Sequence, residues 1–190
     1  MNTQSKALII PPARNYPLTV ENLRTTGSVI ASMQQQGRLT ISSVNREGRS
    51  PIRDYEGNIV RWEFDLVPTG DFTAKVSDPT QDERMALEIA ITPGHRTGIH
   101  VLLERLAQIK PIGSSEAKQA TVVSYLTYDL VQDGVSEFVV NELCTEQRKK
   151  PVYEASDRFF PDSGDFLASA NRRMKSYKAA LQAIIDKEEE

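Results

Sequence analysis

The sequence predicts an α+β fold, with a small antiparallel β ribbon in the N-terminal half packed on a mainly helical C-terminal module. Three observations predict it. Between Ile59 and Val67 the residues alternate: Val60, Trp62, Phe64 and Leu66 against Arg61, Glu63 and Asp65, the period of two of a half-buried strand. From Ile99 to Ile109, and again from Phe166 to Ile184, apolar residues recur at three and four, the spacing of an amphipathic helix. Turn formers Gly48, Pro51, Gly57 and Pro68 punctuate the first half, whereas the second half carries long runs without them.

Residues 1–17 contain Pro11, Pro12 and Pro17 and read as a flexible arm. Residues 18–94 form an α+β region, and 95–190 a helical module. Thr19 caps a first helix that runs to about Gln36 and stops at Gly37, although Thr25, Thr26, Gly27 and Ser28 weaken it. Leu39 to Val44 is strand-like. Asn45 to Gly57 is polar and reads as a turn-rich loop. The alternating strand follows and Pro68 closes it, with Phe72 to Val76 as the next strand. Residues 78–94 are ambiguous. Asp78-Pro79 with Asp82 and Glu83 looks like a helix start, but Met85, Leu87, Ile89 and Ile91 alternate, and a strand from 85 is the expectation.

Ile99, Leu102, Leu103, Leu106 and Ile109 predict a helix that ends before Pro111. Ser114 or Ser115 caps the next, with Val122, Tyr125, Leu126 and Leu130 on one face. Val135, Phe138, Val139 and Leu143 mark a further helix reaching Pro151. Asp162 caps the last, in which Phe166, Ala170, Met174, Tyr177, Leu181 and Ile184 track one side.

The totals narrow the function classes. The formal net charge of the 190 residues is -3, which argues against a histone-like basic surface. A single cysteine, Cys144, excludes an internal disulfide and thiolate-rich zinc sites. Ala7-Leu8-Ile9-Ile10 is too short for a signal core and runs into two prolines. No stretch reaches the roughly 18 apolar residues of a spanning helix. A cytoplasmic protein without membrane contact is expected.

Catalytic chemistry finds little support. His95 and His100 lie five apart, a poor angle for one metal on a helix, and no HExxH is present. Pro93-Gly94-His95-Arg96-Thr97-Gly98 could cradle an anion at a helix start, yet the chain lacks GxxxxGK[ST] and GxGxxG. Cys144 has no histidine near it in sequence to activate it and reads as a packed thiol. Asp54/Glu56 and Glu63/Asp65 have the spacing of a solvated face rather than a cleft. No catalytic residue, metal or cofactor is expected.

Binding residues are better represented. Arg148, Lys149 and Lys150 end one helix. Arg158, Phe159 and Phe160 precede Pro161. Arg172, Arg173 and Lys175 lie on the polar side of the last helix. Converging, they would meet phosphates or a protein partner; separately, they are helix-end and solvent-facing cations.

Residues 99–185 resemble the helical module of small phage and prophage replication proteins of the helicase-loader type that lacks an ATPase domain. The resemblance rests on Val101-Leu102-Leu103-Glu104-Arg105-Leu106, on Tyr125-Leu126 with Asp129-Leu130, and on Asp157-Arg158-Phe159-Phe160-Pro161-Asp162-Ser163-Gly164-Asp165-Phe166-Leu167. It covers less than half the chain. The family pattern opens its last helix with Thr or Ser after the proline, where this chain has Asp162-Ser163. The resemblance implies a non-enzymatic adaptor that docks a replicative helicase or origin protein near single-stranded DNA. A protein-interaction, assembly or regulatory protein without DNA contact, and a small enzyme of unrecognised type, remain the alternatives.

Overall fold

A computed structural model describes residues 8–110, 116–150 and 160–188. Six helices are described: α1 (Val20–Gln35), α2 (Gln81–Ile91), α3 (Arg96–Ile109), α4 (Glu116–Gln132), α5 (Glu137–Lys149) and α6 (Ser163–Glu188). Between α1 and α2 runs one antiparallel hairpin, β1 (Leu39–Arg53) and β2 (Ile59–Val76). The α+β expectation holds, with the ribbon in the N-terminal half. Buried residues from Leu23 to Ile184 form one core cluster that spans both halves of the chain.

The helix ends are fixed by their caps. Thr19 accepts from the Asn22 N–H and starts α1, which continues through Gly27 to Gln35 and ends at Gly37, whose φ of 68° suits glycine. Ser136 accepts from the Val139 N–H at the start of α5, and its hydroxyl donates to the Ala90 carbonyl. Asp162 Oδ1 accepts from the Gly164 and Asp165 N–H groups, as expected of a cap for α6. The expected caps Ser114 and Ser115 lie outside the described residues.

Two expectations are corrected. Residues 81–91 are helix, not strand. Thr80 and Glu83 form a reciprocal capping box, and Ala86, Leu87, Ala90 and Ile91 are buried while Met85 is exposed. The alternation of Met85, Leu87, Ile89 and Ile91 misled because the buried stripe is completed by two alanines, Ala86 and Ala90.

The ribbon is also longer and simpler than expected. The polar stretch after Asn45 continues as strand to Arg53, and only residues 54–58 turn. Asp54 Oδ1 accepts from the Glu56 and Asn58 N–H groups, and Gly57 has a φ of 88°. Those N–H donors, Asn58 foremost, hold the Asp54 carboxyl below its usual range. Pro68 does not close β2. The register jumps from Ser43↔Phe72 to Asn45↔Pro68, so Thr69-Gly70-Asp71 forms a bulge. Gly70 supplies a φ of 81° there, and Thr69 donates its hydroxyl to the Val44 carbonyl. The bulge lets a residue without an N–H sit in the strand.

The base of the ribbon packs on the helices. Leu39 and Val76 are buried opposite one another, and Ile41 and Ala74 are packed on the core beside them. Arg38 then locks β1 to α2. Its guanidinium donates to both Glu83 oxygens, at 2.6 and 2.9 Å, and to the Asp78 carbonyl.

Candidate docking surface

Of the basic residues singled out by the sequence, Arg148, Arg172, Arg173 and Lys175 are engaged within the fold. Arg173 donates to both Glu146 oxygens, at 2.6 and 3.2 Å, and lies 3.6 Å from Glu142, joining α6 to α5. Arg172 stacks on the Phe72 ring with its guanidinium carbon 5.9 Å from the centroid. Lys175 donates to the Gly70 carbonyl at 3.4 Å and lies 3.9 Å from Asp71. These contacts run along β2 and reach its far end through Lys187 and Asp78, 3.6 Å apart. Arg148 donates to the Cys144 carbonyl and to Thr145, both in its own helix. Lys149 is the exposed last residue of α5, and Lys150 is exposed and donates its backbone N–H to Glu146. Phe160 is half-buried and stacks on Phe166 with centroids 6.4 Å apart. Arg158 and Phe159 lie outside the described residues. Arg172 and Arg173 thus come together at an open groove of about 410 Å³ between α5, α6 and Phe72, with Glu146 as its counter-charge. The other described members of the set are dispersed.

The glycine loop before α3 holds an anion supplied by the chain itself. Glu137 is 1% exposed, and its carboxylate accepts from the His95 N–H and the Leu18 N–H, both at 2.9 Å. A Cβ on Gly98 would lie 2.2 Å from Glu137 Oε2, and a Cβ on Gly94 would lie 2.8 Å from the Glu137 nitrogen. Both glycines are therefore required for close approach rather than for an external phosphate. His95 caps α3 through Nδ1, which accepts from Thr97. His100 lies 3.2 Å from both Thr127 and Glu104. Among the described residues no three His, Cys, Asp or Glu side chains group as metal ligands would. Burial pushes the Cys144 thiol up to about 12, and its Sγ donates to the Leu102 carbonyl.

Among the described residues, large apolar side chains of the outer half of the hairpin remain exposed. From Asn45↔Pro68 to Arg53↔Ile59 there are nine pairs, with a second register shift between Ile52 and Arg53 that leaves Val60 opposite no residue of β1, a span of roughly 30 Å at about 3.4 Å per residue. The contacts with α6 named above extend from Asp78 only as far as Gly70. The bulge adds two residues to β2, so the odd positions of β1 and the even positions of β2 keep their face across it. The face that bears Leu39, Ile41, Ala74 and Val76 on the body is therefore the face of Pro51 and Trp62 in the outer half. There Val60 is 60% exposed and Trp62 52%, and Tyr55 at the turn is 96% exposed. Such aromatic exposure on one continuous ribbon is unusual for a surface with no partner.

Sequence reading found this strand and gave it no role. The signal available was an apolar alternation carrying the chain's single tryptophan. Comparison with family models, with curated proteins and with solved structures finds no match for the chain.

Proposed function

We propose that this chain is a non-enzymatic interaction protein that uses the outer half of its hairpin as the docking element and its helical body as the mount. One observation carries the reading. The ribbon face that packs on helices at its base continues to Trp62, which is exposed, and Val60 is exposed beside it at the second register shift. Large aromatic side chains presented this way supply most of the energy of protein interfaces. The arm is a poor fit for a polyanion, because residues 45–68 hold four arginines against five acidic residues. The cations of α6 support the same reading, since they are engaged with Glu146, Phe72 and Asp71. On the resemblance of residues 99–185, the wider setting is replication, with a replicative helicase or origin protein as the body's partner.

Site-specific photo-crosslinking tests this. A benzophenone amino acid at position 62 should give a discrete protein adduct in cells. The same group at exposed Thr121 on α4 serves as the control. Adducts from position 121 and none from 62 would remove the arm from the interaction.

A further inference from the structure

Arg172 is held in place, yet its charge is not met. Its guanidinium lies over the Phe72 ring, and among the described residues no carboxylate pairs with it. Its neighbour Arg173 is bound by Glu146 and Glu142. We propose that the groove between α5, α6 and Phe72 binds an acidic side chain of a partner's peptide segment, an aspartate or glutamate flanked by apolar residues, with Arg172 as the group that receives its carboxylate. The inference goes beyond the docking arm and does not depend on it.

The groove is built for such a group. A ring beneath a guanidinium fixes its plane and leaves the N–H donors at its edge for an acceptor. Two of those donors match the two oxygens of a carboxylate. Holding Arg172 before binding also reduces the ordering lost on binding. Ser169, three residues earlier on α6 and so on the same face, adds a hydroxyl to that wall. Buried Leu143 and half-buried Phe72 give the groove an apolar floor, which suits the apolar neighbours of the acid.

The charge balance selects one anion rather than a row of them. Two arginines and Glu146 line the groove. Glu146 is taken by Arg173, which leaves one positive charge. A nucleic acid carries a phosphate on every unit and calls for a line of cations. Lys175, the next cation along α6, lies 3.9 Å from Asp71. The volume of about 410 Å³ is that of a ligand site, but the groove is open, so a free small acid would keep much of its surface in water. A peptide laid along it covers the acid with its own neighbours.

Selection of a random peptide library on the full chain, with Arg172→Ala as the counter-target, tests the proposal. It should return segments with an aspartate or glutamate between apolar residues. The best of them, labelled with fluorescein, should bind Arg172→Ala about 10- to 100-fold more weakly by anisotropy. Changing the peptide's acid to its amide should cost as much against the wild type and nothing further against Arg172→Ala. Arg172→Lys should recover only part of the loss, because an ammonium lacks the planar fork. Thermal melts check that each variant folds. Selected peptides without an acid, or equal binding to wild type and Arg172→Ala, overturn the proposal. So does tighter binding of a single-stranded oligonucleotide at the same salt, which would give the groove to phosphate, or of free glutarate, which would give it to a small acid. Trp62→Ala should leave peptide binding unchanged, so the groove and the arm fail separately: loss of the peptide with the crosslink from position 62 intact leaves the arm standing, and the reverse leaves the groove.

Discussion

Gly98→Ala should be among the most destabilising single-methyl changes in this protein. In the third position of α3 alanine would ordinarily help, by about 0.8–1 kcal/mol relative to glycine. Here the added Cβ would stand 2.2 Å from Glu137 Oε2 and 2.3 Å from its carboxyl carbon. The obstacle is a buried carboxylate held by two backbone N–H groups at 2.9 Å, so it cannot swing away freely. Overpacking costs about 1–3 kcal/mol, and loss of one hydrogen bond to a charged group about 1.5–3 kcal/mol. Less the helix gain, the net is about 2–5 kcal/mol. For a chain of this size that lowers the melting temperature by about 5–15 °C. Urea unfolding with thermal melts would measure it. Glu137→Ala should also destabilise strongly, but Gly98→Ala should cost far less in that background, because the clashing group is gone. A Gly98→Ala change within about 0.5 kcal/mol of wild type, or additive effects of the two substitutions, would refute the packing argument.

Four further outcomes follow from the same geometry. Arg38→Ala should cost about 2–3 kcal/mol, since it unties β1 from α2 and removes a bidentate partner from Glu83; chemical denaturation measures it, and Arg38→Lys should not rescue it because one ammonium cannot span both oxygens. Burial raises the Glu142 carboxyl above its usual range, against the Tyr177 hydroxyl and Arg173. A carboxyl raised on folding favours the protonated folded state, so the wild type should gain stability relative to Glu142→Gln as the pH falls from about 7 towards 5. Melts of the pair across that range would show it, and a gap moving the other way would contradict it. Cys144, pushed up to about 12 by burial, should resist thiol reagents in the folded protein near neutral pH and react only at the rate of unfolding, which a colorimetric thiol assay follows. Arg173→Ala should lower the melting temperature by a few degrees, through loss of the Glu146 and Glu142 contacts, without changing retention on a single-stranded DNA column; lost retention at unchanged stability would return the cations of α6 to a DNA-binding role.

Much of the fold was legible in the sequence because local and tertiary preferences agree there. Thr19 and Asp162 act as the caps expected of them, and the apolar stripes of α5, α6 and of α3 as far as Leu106 fall on the buried faces, whereas Ile109 is exposed. Residues 81–91 were misread because alanines fill the buried stripe, and a stripe of small residues counts weakly against larger alternating ones. The length of the ribbon was hidden for another reason. Gly48, Pro51 and Pro68 are turn formers in isolation, but an outer edge and a bulge accommodate them. The binding residues fared differently. Charge clusters are visible in a sequence, but the neighbours that neutralise them are not, so the pairing of Arg173 with Glu146 and of Lys175 with Asp71 emerged only from the packing of α6 on α5 and β2. Glu137 gave no signal at all, because its role depends on a loop some 40 residues earlier that closes around it.

The most direct test of an uncovered arm is the accessibility of Trp62 in dilute wild-type protein, read by its emission and by acrylamide quenching. Trp62 is the chain's single tryptophan and is 52% exposed, so the signal has one source. Red-shifted emission and ready quenching at high dilution, lost on association, are the predicted result. Blue-shifted, protected emission at every dilution would mean that the chain covers Trp62 itself, and the arm would then be part of the body rather than its docking element.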